Sequence, residues 1–326
     1  MPHAILDNPQ LKTASGEEPS GPPNPPVAYA DIDGERFAYI EDAQTLPVFF
    51  LTLVSPGDHW LFTATNGSLT AGRKSPDTAL FPYYTVDKII DNWNSTGPQT
   101  WIQTREGELW EPFKPYMRRN FSLRQRLYKS INGDVVIFEE INLDLGLSFR
   151  FRWETSERFG FIRTATVTNS GSSPQTLRVV DGITNFMAAG IDSRTQQEYS
   201  CLTDAYKISE RDESRQMMVH RMAATLTDEA VPMESLRATT VWSYGWPESR
   251  ILMRPEAAED FLINGLFHSS DSQRAFRGSY LNAGTLSLEP GASRTWSQVA
   301  DIEQTQPQVA ALRKSLDHPE SLWHEV

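Results

Sequence analysis

Only one cysteine, Cys201, occurs in 326 residues. An internal disulfide is excluded, and the composition suits a reducing compartment. The surrounding EYSCLTD brings no basic neighbour that would activate the thiol, so an inert side chain is expected. No apolar run approaches the ~18 residues of a membrane-spanning helix. The opening MPHAILDNPQ has neither the charged region nor the apolar region of a secretory leader, and a cytoplasmic location is expected. Excess positive charge is missing too. The net charge is −12, which argues against nucleic acid and against an anionic membrane surface as partners.

The standard chemical motifs are equally absent. The sequence has no G-x-S-x-G, no phosphate-binding P-loop, no H-E-x-x-H and no G-x-G-x-x-G. The six histidines stand at 3, 59, 220, 268, 318 and 324, none at ligand spacing to another. No metal and no cofactor is therefore expected. Glu139 and Glu140 are adjacent in a strand pattern and point to opposite faces, so they cannot act as a carboxylate pair.

What is present is a series of strands. Residues 1–27 hold seven of the 21 prolines and read as a disordered or extended tail. From residue 28 hairpin signals recur: YADIDGERFAYIE turns at Asp33-Gly34, TWIQTREGELWEPF at Glu106-Gly107, and FSLRQRLYKSINGDVVIFEEINL at Asn132-Gly133. LSFRFRWE alternates, placing Leu147, Phe149, Phe151 and Trp153 on a core face and Arg150 and Arg152 on the other. Helical patterns are few: PEAAEDFLING, and a stretch from residue 307 to about 316. Residues 209–236 are polar, Met-rich and ambiguous. The pattern predicts a mainly β chain, a large antiparallel β-sandwich with a few short helices.

Two groups of residues are candidates for binding. Residues 66–90, NGSLTAGRKSPDTALFPYYTVDKII, show neither strand nor helix periodicity and read as a long rim loop. Phe81, Tyr83 and Tyr84 would pin it, and Arg73, Lys74 and Asp77 would project together. The second group is aromatic. Trp93, Trp242 and Trp246 lie near turns and polar residues, the recipe for stacking on sugars, although nine tryptophans also suit a large core.

HWLFTATNGSLTAGRKSPDTALFPYYTVDKI resembles the N-terminal region of cellobiose-phosphorylase-like proteins, glycoside hydrolase family 94, formerly glycosyltransferase family 36. GFIRTATVTNSGSSPQTLRVVDGI and LSLEPGASRTW are similar to later strands of that region. The resemblance covers residues 28–303 and implies a supersandwich of the galactose-mutarotase type. Residues 304–326 would be a helical linker, the start of a catalytic (α/α)6 barrel missing from this sequence. The implied function is a non-catalytic, carbohydrate-associated module of a glycoside phosphorylase or hydrolase, lining the parent's active site or dimer contact. Its implied partners are an oligosaccharide or glycosyl phosphate, the barrel, and a second copy in a homodimer. By position, the implied binding or interface residues are Asn66, Arg73, Lys74, Asp77, Tyr84 and Asp87. GRKSPDTALFPYY replaces the family's glycine- and tryptophan-rich form, so phosphorylase and hydrolase both stay open. Two alternatives remain beside it: a stand-alone mutarotase-type epimerase, pairing His220 or His268 with a glutamate, and a carbohydrate-binding domain with no enzyme attached.

Overall fold

The computed structural model describes residues 28–224, 236–267 and 270–326. The proline-rich segment 1–27, His268 and most of the second half of 209–236 lie outside the described residues. The chain opens with β1 (Ala28–Ile32), β2 (Glu35–Glu41), β3 (Phe50–Leu53), β4 (His59–Ala64), β5 (Leu69–Arg73), β6 (Ala79–Phe81), α1 (Val86–Asp91), β7 (Gly97–Thr104) and β8 (Leu109–Trp110). It continues with β9 (Leu123–Ser130), β10 (Val136–Asn142), β11 (Leu147–Ser156), β12 (Gly160–Asn169), β13 (Gln175–Phe186), α2 (Ser193–Glu198), α3 (Ser200–Ala205), β14 (Lys207–Asp212) and β15 (Met217–Met222). It closes with β16 (Arg237–Tyr244), β17 (Arg250–Leu252), α4 (Glu256–Asn264), β18 (Ser272–Arg274), β19 (Gly278–Leu288), β20 (Ser293–Thr305), α5 (Gln306–Ser315) and α6 (Pro319–Trp323).

The expected hairpins form because their turn residues accept positive φ. Asp33 and Gly34 sit at φ 52° and 83°, and Gly107 and Gly133 at 96° and 81°. β9, β10, β11 and β12 then pair in succession, all antiparallel. They belong to an eleven-stranded sheet ordered β1-β2-β9-β10-β11-β12-β20-β16-β15-β14-β18. One face of it packs on a five-stranded sheet, β17-β19-β13-β7-β8, and on a four-stranded sheet, β3-β4-β5-β6. The chain is a large antiparallel β-sandwich.

The core between these sheets confirms the face assignment on β11. Leu147, Phe149, Phe151 and Trp153 are buried, and Phe151 stacks on Phe138 at 4.8 Å. Arg150 and Arg152 lie on the opposite face, half-buried, with Arg152 paired to Glu35 and Glu154. Arg163 is a charged residue in this core. It meets Asp181 through two bonds of 2.7 and 2.8 Å, and Trp296 and Thr100 donate to the same carboxylate.

One expectation is corrected. Residues 66–90 are not an irregular loop; they contain β5, a turn of 3-10 helix (Pro76–Thr78), β6 and α1. Leu69, Ala71, Leu80 and Phe81 from this stretch are core residues. The few short helices expected are present, and α1, α2, α3 and α6, only five or six residues long, carry no readable period in the sequence. Glu139 and Glu140 point to opposite faces as expected, and Glu140 is sealed in the interior, where Trp110, Gln125 and the backbone of Phe113 donate to it. Burial raises its pKa against the pull of those donors.

Candidate functional site

The residues singled out from the sequence do not converge on one loop. Asn66 closes the β4–β5 turn, donating to Ile90 O at 3.0 Å and accepting from Ser68. Lys74 is exposed at φ 54°. Asp77 accepts from Ser193 N and Oγ at 2.9 and 2.8 Å, which ties the 3-10 turn to α2 and lowers its pKa. Asp87 accepts from Thr85 in the first turn of α1, and that bond holds its pKa down. Tyr84 is half-buried between β6 and α1. Trp93 carries the Lys114 ammonium 4.8 Å above its ring. That lysine is buried among neutral acceptors, and burial lowers its pKa to about 8.

The other three, Arg73, Trp242 and Trp246, lie apart from one another, and both tryptophans are buried, at 2% and 3% exposure. The second face of the eleven-stranded sheet carries Ile162, Val299, Trp242, Ala238, Met217 and Val219. α5 and α6 lie over it, anchored by Leu316, Leu322 and Trp323. Trp323 stacks on Tyr244 at 5.2 Å and meets Trp242 edge-on at 6.4 Å. Trp242 lies on this face beneath Trp323, Trp246 is buried in the core between the sheets against Trp296 at 5.0 Å, and Arg73 reaches this face through Asp301.

Asp301 is positioned by a bulge in β20. Thr240 pairs with Asp301 and Ala238 with Gln304, so Ile302 and Glu303 stand opposite Thr239 alone, and Glu303 takes φ 64°. The β11–β12 turn closes on Asp301 through Gly160. A Cβ there would lie 2.5 Å from Ala300 O and 2.8 Å from the Asp301 Cβ. Arg73 Nη1 donates to both Asp301 oxygens at 2.9 and 3.0 Å, and Arg73 Nε donates to Asp58 at 2.8 Å. Gln304 Nε2 and Ile302 N complete the shell of Asp301. Burial raises the Asp301 pKa to about 6 even though Arg73 opposes the rise. Asp58 and the buried His59 lie on the far side of Arg73. Burial, and then Arg73, lowers the His59 pKa to about 4.

Three cavities open on this face, and the one under α5, about 530 Å³, is lined by Val219, Ala238, Val309 and Arg313 among others. A second, of about 210 Å³, is lined by Asp301, Thr240, Trp242, Arg158, Gln304 and Gln308, among others. The third, of about 450 Å³, lies at the end of β16 beside α6. Its walls include Tyr244, Trp246, Gln216, Ser243, Arg294 and Glu248. Gln216, at φ 49°, is held by Glu213 O and Ser249 O at 3.2 and 3.1 Å. Ser243 bonds Tyr280 and Asn282 at 2.8 and 2.9 Å, and Asn282 accepts from Gln298. Gln298 in turn reaches the Arg163–Asp181 pair. The polar floor of this cleft is thus fixed by a network running into the core. Arg294 and Glu248 form its rim, 2.7 Å apart. The Gln216 amide and the Ser243 hydroxyl spend their hydrogen bonds within the protein, so the Arg294 guanidinium and the Glu248 carboxylate are the groups that can donate to and accept from a ligand rich in hydroxyls.

Sequence reasoning missed Asp301, Asp58, Gln216 and Arg294. The αL residues Gln216, Glu303 and Lys74 are local irregularities near them, and none is a residue type that signals positive φ. His220, one half of the epimerase alternative, is fully buried between Ser209 and Phe186, and burial lowers its pKa to about 3. It faces no glutamate across a cavity. Among the described residues no group of His, Cys, Asp and Glu is placed to hold a metal ion. No described helix is long and apolar enough to cross a membrane.

No family model matches this sequence, and neither does any curated protein. Solved structures do match. A GalM/aldose epimerase homologue from C. elegans is 10% identical, with 80% of this chain and 100% of that one covered and a TM-score of 0.44. A galactose mutarotase-like protein from Clostridium acetobutylicum is 10% identical, with coverages of 86% and 99% and a TM-score of 0.41. A polysaccharide lyase is 12% identical at a TM-score of 0.40; the match covers 83% of this chain and 34% of the lyase.

Proposed function

We propose that this chain is a carbohydrate-associated β-sandwich module that binds a saccharide in the cleft at Tyr244 and Trp246. One observation carries the reading: a cleft of about 450 Å³ runs beside Tyr244 with a charged rim at Arg294 and Glu248, over a floor that the Gln216 and Ser243 network holds rigid. Its volume falls within the few hundred Å³ typical of small-ligand sites. The finer reading makes the module a non-catalytic part of a glycoside phosphorylase or hydrolase, lining the parent's active site or dimer contact beside an (α/α)6 barrel. Asn66, Lys74, Asp77, Tyr84 and Asp87 are the residues we assign to that contact. The state of Asp301 favours a non-catalytic role. Both its oxygens already accept from Arg73, and one each from Ile302 N and Gln304, an arrangement that holds a carboxylate rather than frees it for proton transfer.

Titration calorimetry with glucose, galactose, cellobiose and maltose tests the reading. Saturable binding of at least one sugar is expected, weakened by Arg294→Ala and by Glu248→Gln. No binding of any of the four, or binding indifferent to both substitutions, would remove the cleft as the site. Mutarotation and glucoside phosphorolysis assays on the same chain test the finer reading. Turnover in either would overturn the non-catalytic assignment.

A further inference from the structure

The outer face of the five-stranded sheet changes character along its strands. Beneath α4 it is apolar, with Val180, Leu281 and Ala283 packed on Ala258, Phe261 and Leu262. α4 ends at Asn264, and beyond its end the same face turns polar. Gln103 on β7, Arg178 on β13 and Thr285 on β19 stand opposite one another in a single cross-strand row. Thr176 lies two residues away on β13 and shares that face, and Arg105 follows the end of β7, at the start of the turn to β8. These five residues line an open cavity of about 450 Å³.

The charge on its walls is the informative part. The chain carries 42 acidic and 30 basic residues, yet no aspartate or glutamate lines this cavity. Arg105 is exposed and makes no ion pair with any described residue; Glu106 and Glu108 beside it are exposed on the β7–β8 turn, outside the lining. Arg178 has no carboxylate partner among the described residues either. Its Nη1 donates to Leu262 O at 2.7 Å and to Ile263 O at 3.4 Å, the carbonyls at the end of α4. By contrast, the half-buried or buried Arg73, Arg126, Arg152, Arg163 and Arg211 are each matched to a carboxylate. Capping a helix end occupies one corner of the Arg178 fork, and a guanidinium has five N–H donors.

We infer that this cavity binds a small oxyanion. Two guanidiniums offer charge-assisted, bidentate bonds to a planar or tetrahedral oxyanion. The Thr176 and Thr285 hydroxyls and the Gln103 amide add neutral donors, and three hydrogen-bonded strands hold the row rigid. Phosphate, sulfate and the carboxylate of an acidic sugar share this chemistry. The competing view is that Arg178 only caps α4 and Arg105 is only a solvated surface residue.

The test is a titration of the full chain with inorganic phosphate, sulfate and glucuronate, with neutral glucose as control, read by backbone amide NMR. At least one anion is expected to give saturable shifts at β7, β13 and β19, weakening as sodium chloride rises, while glucose leaves those amides unmoved. The anion that saturates identifies the source. Arg105→Gln is expected to weaken binding about tenfold, the equivalent of about 1.4 kcal/mol. Arg178→Gln should do likewise; if it loosens α4 instead, Arg105→Gln decides alone. Absence of shifts with all three anions, or affinity unchanged in Arg105→Gln, would overturn the inference. Arg294→Ala, in the other sheet, should leave the anion titration unchanged, so failure here and failure of the saccharide cleft are separable.

Discussion

Removing Arg73 should expose how the Asp301 cluster is held together. In Arg73→Ala the carboxylate of Asp301 keeps Gln304 and Ile302 N but loses both guanidinium bonds, and Asp58 loses its own. The Asp301 side chain is 7% exposed, against 19% for Arg73 and 32% for Asp58. Breaking a fully buried pair costs about 3–5 kcal/mol. Partial exposure on the Arg73 and Asp58 side brings the expected loss to about 2–3 kcal/mol at pH 7.5. The loss should depend on pH. The Asp301 pKa, already raised to about 6, rises further without Arg73. Protonation then relieves the buried charge, so the variant loses less stability at pH 5 than at pH 7.5. Urea denaturation at the two pH values measures this, and Asp301→Asn in the Arg73→Ala background should restore part of the loss at pH 7.5. A cost below about 0.5 kcal/mol at pH 7.5, the size of an ordinary surface substitution, would refute the reasoning. So would a cost equal at both pH values.

Three further outcomes are expected. Trp153→Ala should cost about 3–5 kcal/mol through lost burial and a residual cavity, whereas Arg150→Ala on the opposite face should cost about 0.5 kcal/mol or less; equal losses in thermal melts would break the assignment of β11 faces. Asp301→Asn should steepen the loss of stability on acidification between pH 6.5 and 4. His59 is lowered to about 4 and His220 to about 3, so the unfolded chain takes up their protons first and stability falls with pH; Asp301, raised to about 6, takes up its proton in the folded state and opposes that fall until it is removed. Denaturant midpoints across that range check the slope. Trp323→Ala should cost about 1–2 kcal/mol, less than a fully buried tryptophan, and should speed hydrogen exchange in residues 306–323 far more than elsewhere; uniform exchange would mean that α5 and α6 are not seated by that ring.

The sheet was legible in the sequence where one strand face meets core and the other meets water. β11 alternates because Phe149 and Phe151 face the small sheets while Arg150 and Arg152 do not. The β1–β2 and β9–β10 turns were legible because Asp33-Gly34 and Asn132-Gly133 announce positive φ. Residues 66–90 were not legible, for a physical reason. Leu69, Thr70, Ala71 and Gly72 in β5 and all of β6 are buried on both faces, so no two-residue period survives. The Arg73–Asp301 contact spans 228 residues and depends on the bulge at Glu303, which no local pattern reports. Trp242 and Trp246 sit near turns in the sequence yet are buried in the structure, and Gln216 and Arg294 beside the cleft come from distant segments that meet only after the sheet forms.

The most direct measurement is the position of a bound sugar. Amide NMR shifts, or a crystal soaked with whichever of the four sugars binds, should place it in the cleft beside Tyr244, within hydrogen-bonding reach of Arg294 or Glu248. A sugar located elsewhere on the sandwich, or no perturbation in residues 213–216 and 243–248 at saturating sugar, would contradict the account.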